Sequence, residues 1–112
     1  MIKIDEAIKF ALSLPEAVEL PHFEKTSFRV KKKIFATLDK TTSIIVVKLS
    51  EVDQSVFLDP KHQIIYPVSG AWGKKGWTKI ELKKVGKSLF KDAIITSYKN
   101  IAPKGLIERL DQ

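Results

Sequence analysis

Between Thr26 and Leu49 the chain reads as three extended runs separated by two polar turns, and this stretch limits the possible folds more than any other. Thr26-Ser27-Phe28-Arg29-Val30 alternates, with Phe28 and Val30 to one side and Ser27 and Arg29 to the other, as a half-buried strand does. Lys31-Lys32-Lys33 separates it from Ile34-Phe35-Ala36-Thr37-Leu38, which predicts a hairpin with lysines at its tip. Asp39 to Ser43 makes a second turn before Ile44-Ile45-Val46-Val47-Lys48-Leu49. That run is too apolar for a wet face and is expected to be a central strand.

Helical periodicity brackets the strands. Ile4, Ala7, Ile8, Ala11 and Leu12 share one face of a helix predicted over Ile4 to Leu14, which Pro15 terminates by forcing the residue before it out of the helical region. A polar connection containing Pro21 and His22 follows. Ser50, three residues before Asp53, caps a short helix from Glu51 to Leu58, closed by Asp59-Pro60. Strands are expected over Gln63 to Val68 and Trp77 to Leu82, joined by a loop from Ser69 to Gly76. From Gly86 to Ile101, Leu89, Phe90, Ala93, Ile94, Tyr98 and Ile101 define one face of a second long helix, and Lys104 to Leu110 forms a short terminal one. The expected fold class is α+β, in a single domain spanning 1–112.

A chain of 112 residues without cysteine must rest on packing alone, and it has neither disulfides, thiolate metal sites nor a cysteine nucleophile. The N-terminal Met1-Ile2-Lys3-Ile4-Asp5-Glu6 does not read as a signal peptide, and no segment approaches a membrane span, so a cytoplasmic protein with no membrane partner is expected. A monomer is the expected state. Net charge is +7, with nine basic and nine acidic residues up to Pro60 but eleven and four beyond it. Such asymmetry fits a polyanionic partner, and equally serves solubility.

The Ser69–Gly76 loop and the strand it leads into combine Trp72, Trp77, Lys74 and Lys75 with glycines, the mixture a nucleic-acid surface uses for stacking, phosphate contact and close backbone approach. The plainer alternative makes the tryptophans core anchors, above all Trp77, which begins a strand. Lys84, Lys87 and Lys91 recur at three- and four-residue intervals as a stripe on the second long helix, which Lys79 and Lys83 extend onto the preceding strand. Lys31 to Lys33 with Arg29 form a second basic cluster, which also suits a guard against strand-to-strand aggregation. His22 and His62 lack the spacing of a metal site, and no catalytic carboxylate pair, phosphate loop or nucleophile elbow is present. A binding module is therefore expected, with no enzyme activity, no metal and no cofactor.

Leu14-Pro15 through Pro21-His22-Phe23, Ser27 to Val30 with Lys33 to Leu38, Gly70-Ala71-Trp72-Gly73, Gly76-Trp77-Thr78 and Ala102-Pro103-Lys104 together resemble the MmcQ/YjbR family of small bacterial proteins. The resemblance implies a frataxin-like fold: a twisted antiparallel sheet, here of about five strands, with the N- and C-terminal helices packed on one face. It also implies DNA binding, a description resting on fold and charge, and carries over no catalytic residue. Lys32 and Glu24 stand where the family usually has glycine, and Thr26 and Ser69 where it often has proline. The acidic ridge with which frataxins bind iron has no counterpart, since the second long helix is basic.

Two functions remain. In the first, Lys74, Lys75, Lys79, Lys84, Lys87 and Lys91 bind DNA, with Trp72 stacking on a base. In the second, His22, Phe23, Arg29, Trp72 and Trp77 line a pocket for a small ligand or a protein.

Overall fold

The computed structural model describes residues 1–111. Its elements are α1 (Ile4–Leu12), β1 (Val18–His22), β2 (Lys25–Val30), β3 (Lys33–Asp39), β4 (Ile44–Lys48), α2 (Glu51–Phe57), β5 (Ile65–Pro67), α3 (Ala71–Lys74), β6 (Trp77–Glu81), α4 (Lys87–Ile101) and α5 (Lys104–Glu108), followed by a 3-10 turn. The strands form one antiparallel sheet in the order β1-β2-β3-β4-β6-β5. The fold is thus α+β, with six strands rather than about five.

The additional strand is β1, expected as a polar connection. Its apolar residues Val18 and Leu20 do alternate, but both point away from the core and stay exposed, so the usual burial signal is missing. The β2–β3 turn is tighter than expected. Val30 pairs with Lys33, leaving Lys31 and Lys32 as a two-residue turn with φ of 50° and 70°. Such a turn follows the strand twist but favours glycine or asparagine. Lys31 is tied down by Glu16 at 2.9 Å.

One face of the sheet is the core. Thr26, Phe28, Ala36, Leu38, Ile45, Val47, Thr78, Ile80 and Ile65 stand opposite one another in register and are all buried. The β2–β3 register breaks between Phe28 and Arg29, where Phe35 is the extra residue of a bulge. Phe35 and Ala36 are therefore both buried although adjacent. Across this face lies α4, whose Tyr98 ring meets Phe35 edge-on at 5.6 Å while its hydroxyl donates to the Pro15 carbonyl at 2.7 Å. Burial raises the Tyr98 pKa. α1 joins the helical layer through Phe10, 6.0 Å from Phe90.

α1 stops two residues short of Leu14 because the Ser13 hydroxyl donates to the Phe10 carbonyl at 2.6 Å and caps the last turn. Leu12 and Leu89, expected on inward helix faces, are exposed. β4 is central, as expected, but it does have a wet face: Ile45, Val47 and Leu49 are buried, while Ile44, Val46 and Lys48 alternate with them on the side without helices.

Candidate functional site

The glycine-punctuated loop folds as the single turn α3 and is pinned from three sides. Gly73 lies so close to β5 that a Cβ there would stand 1.8 Å from the Val68 carbonyl oxygen. Gly76 combines φ of +105° with an equally close Leu49 carbonyl, so no other residue fits this corner. From α2, Gln54 Nε2 donates to the Gly73 carbonyl and to Thr78 Oγ1, both at 3.0 Å. A loop fixed at these points holds Trp72 outward, 62% exposed, and edge-on to Trp77 at 6.3 Å.

Trp77 is not a core anchor. It pairs with Lys48 at the start of β6, half-buried on the helix-free face. Each ring has its own cation: Lys75 Nζ lies 5.7 Å from the Trp72 centroid and Lys48 Nζ 5.8 Å from that of Trp77. The two lysines are linked, because Lys48 Nζ also donates to the Lys75 carbonyl oxygen.

From Trp77 the open face continues across the strands. Ser27, Thr37, Val46, Lys79 and Tyr66 form one register row, and Val18, Arg29 and Ile34 form part of another. Lys25, Thr37, Asp39, Thr42, Val46 and Lys79 surround a shallow depression of about 120 Å³. Drug-sized ligands need roughly 300 Å³ or more.

The acids of this face are engaged by neutral donors. Asp39 accepts from the Thr41 hydroxyl at 2.6 Å and the Thr41 amide at 2.9 Å, and the hydroxyl contact foremost holds its carboxyl below the usual range. Glu81 accepts from the Tyr66 hydroxyl, which pushes the Tyr66 pKa up to about 12. The cations of this face have no acidic partner among the described residues. Ion pairs among the described residues join Lys31 and Arg109 to Glu16 and Lys87 to Glu6, leaving Lys25, Arg29, Lys48, Lys74, Lys75 and Lys79 without a carboxylate within 4.0 Å.

The six lysines expected to share one surface divide among four places. Lys74 and Lys75 end α3 beside Trp72, and Lys79 is on the open face. Lys84 lies beyond β6, its Nζ 3.5 Å from the Gln63 carbonyl. Lys87 and Lys91 belong to the helical layer, the first 3.6 Å from Glu6 and the second over the Phe10 ring at 5.5 Å. The stripe therefore does not extend onto Lys79, because α4 and the open face lie on opposite sides of the sheet.

Nor do the five pocket residues meet. His22 and Phe23 close the β1–β2 hairpin, four strands from Trp77 and at the other end of the strand direction, roughly 19 Å away across the sheet alone. The concavity at that hairpin is lined only by His22, Phe23, Glu24 and Lys25, with Phe23 94% exposed. Lys48 and Tyr66 were missed in the sequence. Their signal was alternation, since Val46 and Lys48 stand across from Lys79 and Trp77, and Tyr66 across from Lys79.

Among the described residues no three His, Asp or Glu side chains come together as a metal group, and no helix is long and apolar enough to cross a membrane. Asp59 is a loop cap: its carboxylate accepts from the amides of Gln63, Ile64 and Ile65 at 2.7–3.0 Å.

No curated protein matches the chain. Among solved structures, the fold is similar to that of the Deinococcus radiodurans protein DR2400, which carries the domain DUF419: the TM-score is 0.79 at 24% identity, covering 94% of this chain and 82% of that one. The YjbR family model matches residues 12–100, from the last turn of α1 to the last turn of α4 and through the whole sheet, and the chain belongs to the YjbR family.

Proposed function

We propose that the domain is a non-enzymatic module that binds single-stranded DNA on the open face of its sheet. One observation carries the reading: Trp72, exposed, and Trp77, half-buried, form an aromatic pair on the open face, each ring beside a lysine, and among the described residues those lysines have no carboxylate partner. Bases stack on such rings at about 1–3 kcal/mol each, and lysines of this kind neutralise the phosphates between them. An uncovered antiparallel sheet with surface aromatics suits splayed bases, whereas reading a duplex needs an element that enters a groove. Lys84, Lys87 and Lys91 lie outside this surface and play no part in it. The depression is too small, the hairpin concavity is an open hollow with only four lining residues, and the pocket residues are too dispersed, to favour a small ligand.

Fluorescence anisotropy with a labelled oligothymidine and a duplex of equal length tests the proposal. Four contributing lysines, Lys48, Lys74, Lys75 and Lys79, give a slope of about −3 in log affinity against log salt for a single strand. Trp72→Ala combined with Lys75→Glu should abolish binding, while Lys84→Glu with Lys91→Glu should leave it unchanged. Equal loss in both double variants, or a preference for the duplex, would refute this placement.

A further inference from the structure

The other half of the open face, across β1, β2 and β3, differs from the tryptophan end. Its centre is Arg29. The Arg29 Nε donates to the Ser27 hydroxyl oxygen at 2.9 Å, and that wholly buried hydroxyl donates in turn to the Leu20 carbonyl at 2.8 Å. One edge of the guanidinium is thereby fixed, while its terminal nitrogens have no hydrogen-bond or ion-pair partner among the described residues. Glu19, the acid nearest in β1, accepts from Thr26 Oγ1 at 2.7 Å, and Glu16 is taken by Lys31 and Arg109.

Aliphatic side chains frame this guanidinium. Val18 stands directly across from Arg29 on one side and Ile34 on the other, and Leu20 pairs with Ser27 in the next row. Val18 and Leu20 are 48% and 45% exposed on the same strand face. The phenylalanines of β2 and β3, Phe28 and Phe35, are in the core and offer no ring to a base. A held guanidinium presents its free N–H pairs to a carboxylate as a fork, with little rotamer freedom left to lose. Uncovered aliphatics beside it call for apolar side chains on the same ligand.

We infer that this half of the sheet face is a docking surface for an acidic protein segment, one that sets a carboxylate on Arg29 and aliphatic side chains on Val18, Leu20 and Ile34. The inference is independent of DNA binding at the tryptophan end.

The full chain, labelled with nitrogen-15, is titrated with a short capped peptide alternating Leu and Glu, and separately with its Leu/Lys counterpart, with oligoglutamate and with oligothymidine. Saturating shifts at Val18, Leu20, Arg29 and Ile34 are expected with the Leu/Glu peptide alone. Arg29→Ala should weaken its binding by about tenfold or more, as loss of a charged hydrogen-bonded pair does. Arg29→Lys, which keeps the charge and loses the fork, should not restore it, and Leu20→Ser should weaken it without touching the charge. Trp72→Ala should have no effect, which separates this surface from the proposed DNA site. The inference is overturned if oligoglutamate binds as well as the Leu/Glu peptide, if Arg29→Ala binds normally, if the shifts fall at Lys48 and Trp77 instead, or if oligothymidine alone occupies these residues.

Discussion

The Ser97 hydroxyl donates to the carbonyl oxygen of Phe35 at 2.5 Å, across 62 residues of sequence. The Ser97 Oγ in turn accepts the Lys48 amide at 3.0 Å. Regular β3–β4 pairing ends at Ala36 and Val47, so the bulge at Phe35 leaves one acceptor on β3 and one donor on β4 without ladder partners. A single buried hydroxyl on α4 supplies both. This contact links the helical layer to the open face, because the residue it steadies carries the ammonium beside Trp77.

Ser97→Ala should therefore destabilise the domain by about 2–4 kcal/mol, the cost of stranding two buried backbone groups. Urea unfolding measures it, and a loss below about 1 kcal/mol would mean that water reaches the bulge.

Alkaline titration tests the Tyr66–Glu81 contact. An unfolded tyrosine ionises near pH 10, whereas Tyr66 is held up to about 12 by its hydrogen bond to Glu81 first and by burial second. Because the folded pKa is raised, the stabilisation is fully present below pH 10 and disappears as pH climbs through about 12. In absorbance titration Glu81→Gln should bring the Tyr66 transition down towards 10, and Tyr98 should be unchanged.

Acid should act on the Asp59 loop in the opposite sense. Backbone amides, Gln63 first and Ile65 next, hold this carboxyl down to about 2. A lowered pKa stabilises above the unfolded value of 3.8, and the contribution is lost as pH falls through about 2. Carbon-13 titration of the carboxyl should show the low midpoint. Asp59→Ala should abolish hydrogen-exchange protection at Ile64 and Ile65 even at neutral pH.

Gly73→Ala drives a methyl against the Val68 carbonyl, contact that only a backbone shift relieves. The expected cost is about 3 kcal/mol or more, accompanied by a change in tryptophan emission as Trp72 leaves Trp77. An unchanged spectrum and stability would show the α3 corner to be looser than its geometry.

Local pattern made much of this fold readable. β2 announced itself by alternation, β3 and β4 by apolar runs between polar turns, and α1 and α4 by helical spacing, because in each the buried side is apolar. β1 did not, since Val18 and Leu20 alternate toward solvent and Pro21 argued against a strand. The lysine at φ 70° on the β2–β3 turn was legible as Lys32 in a glycine's place. The site was legible only in pieces. Trp72, Lys74, Lys75 and Lys79 stood out by type, but the separation of Lys79 from Lys87 and Lys91 depends on which side of the sheet α4 covers. No spacing encodes that choice. Lys48 was hidden for a related reason, in a run whose second face looked too apolar to be wet.

Both rims of the sheet end in strands that contain proline: Pro21 in β1 and Pro67 in the three-residue β5. A strand from another molecule laid along either rim finds a missing donor on one side and almost no length on the other. Growth of the sheet by addition of neighbours is thereby disfavoured at both rims. A broad uncovered β surface is displayed with its edges guarded, which favours visitors that arrive broadside.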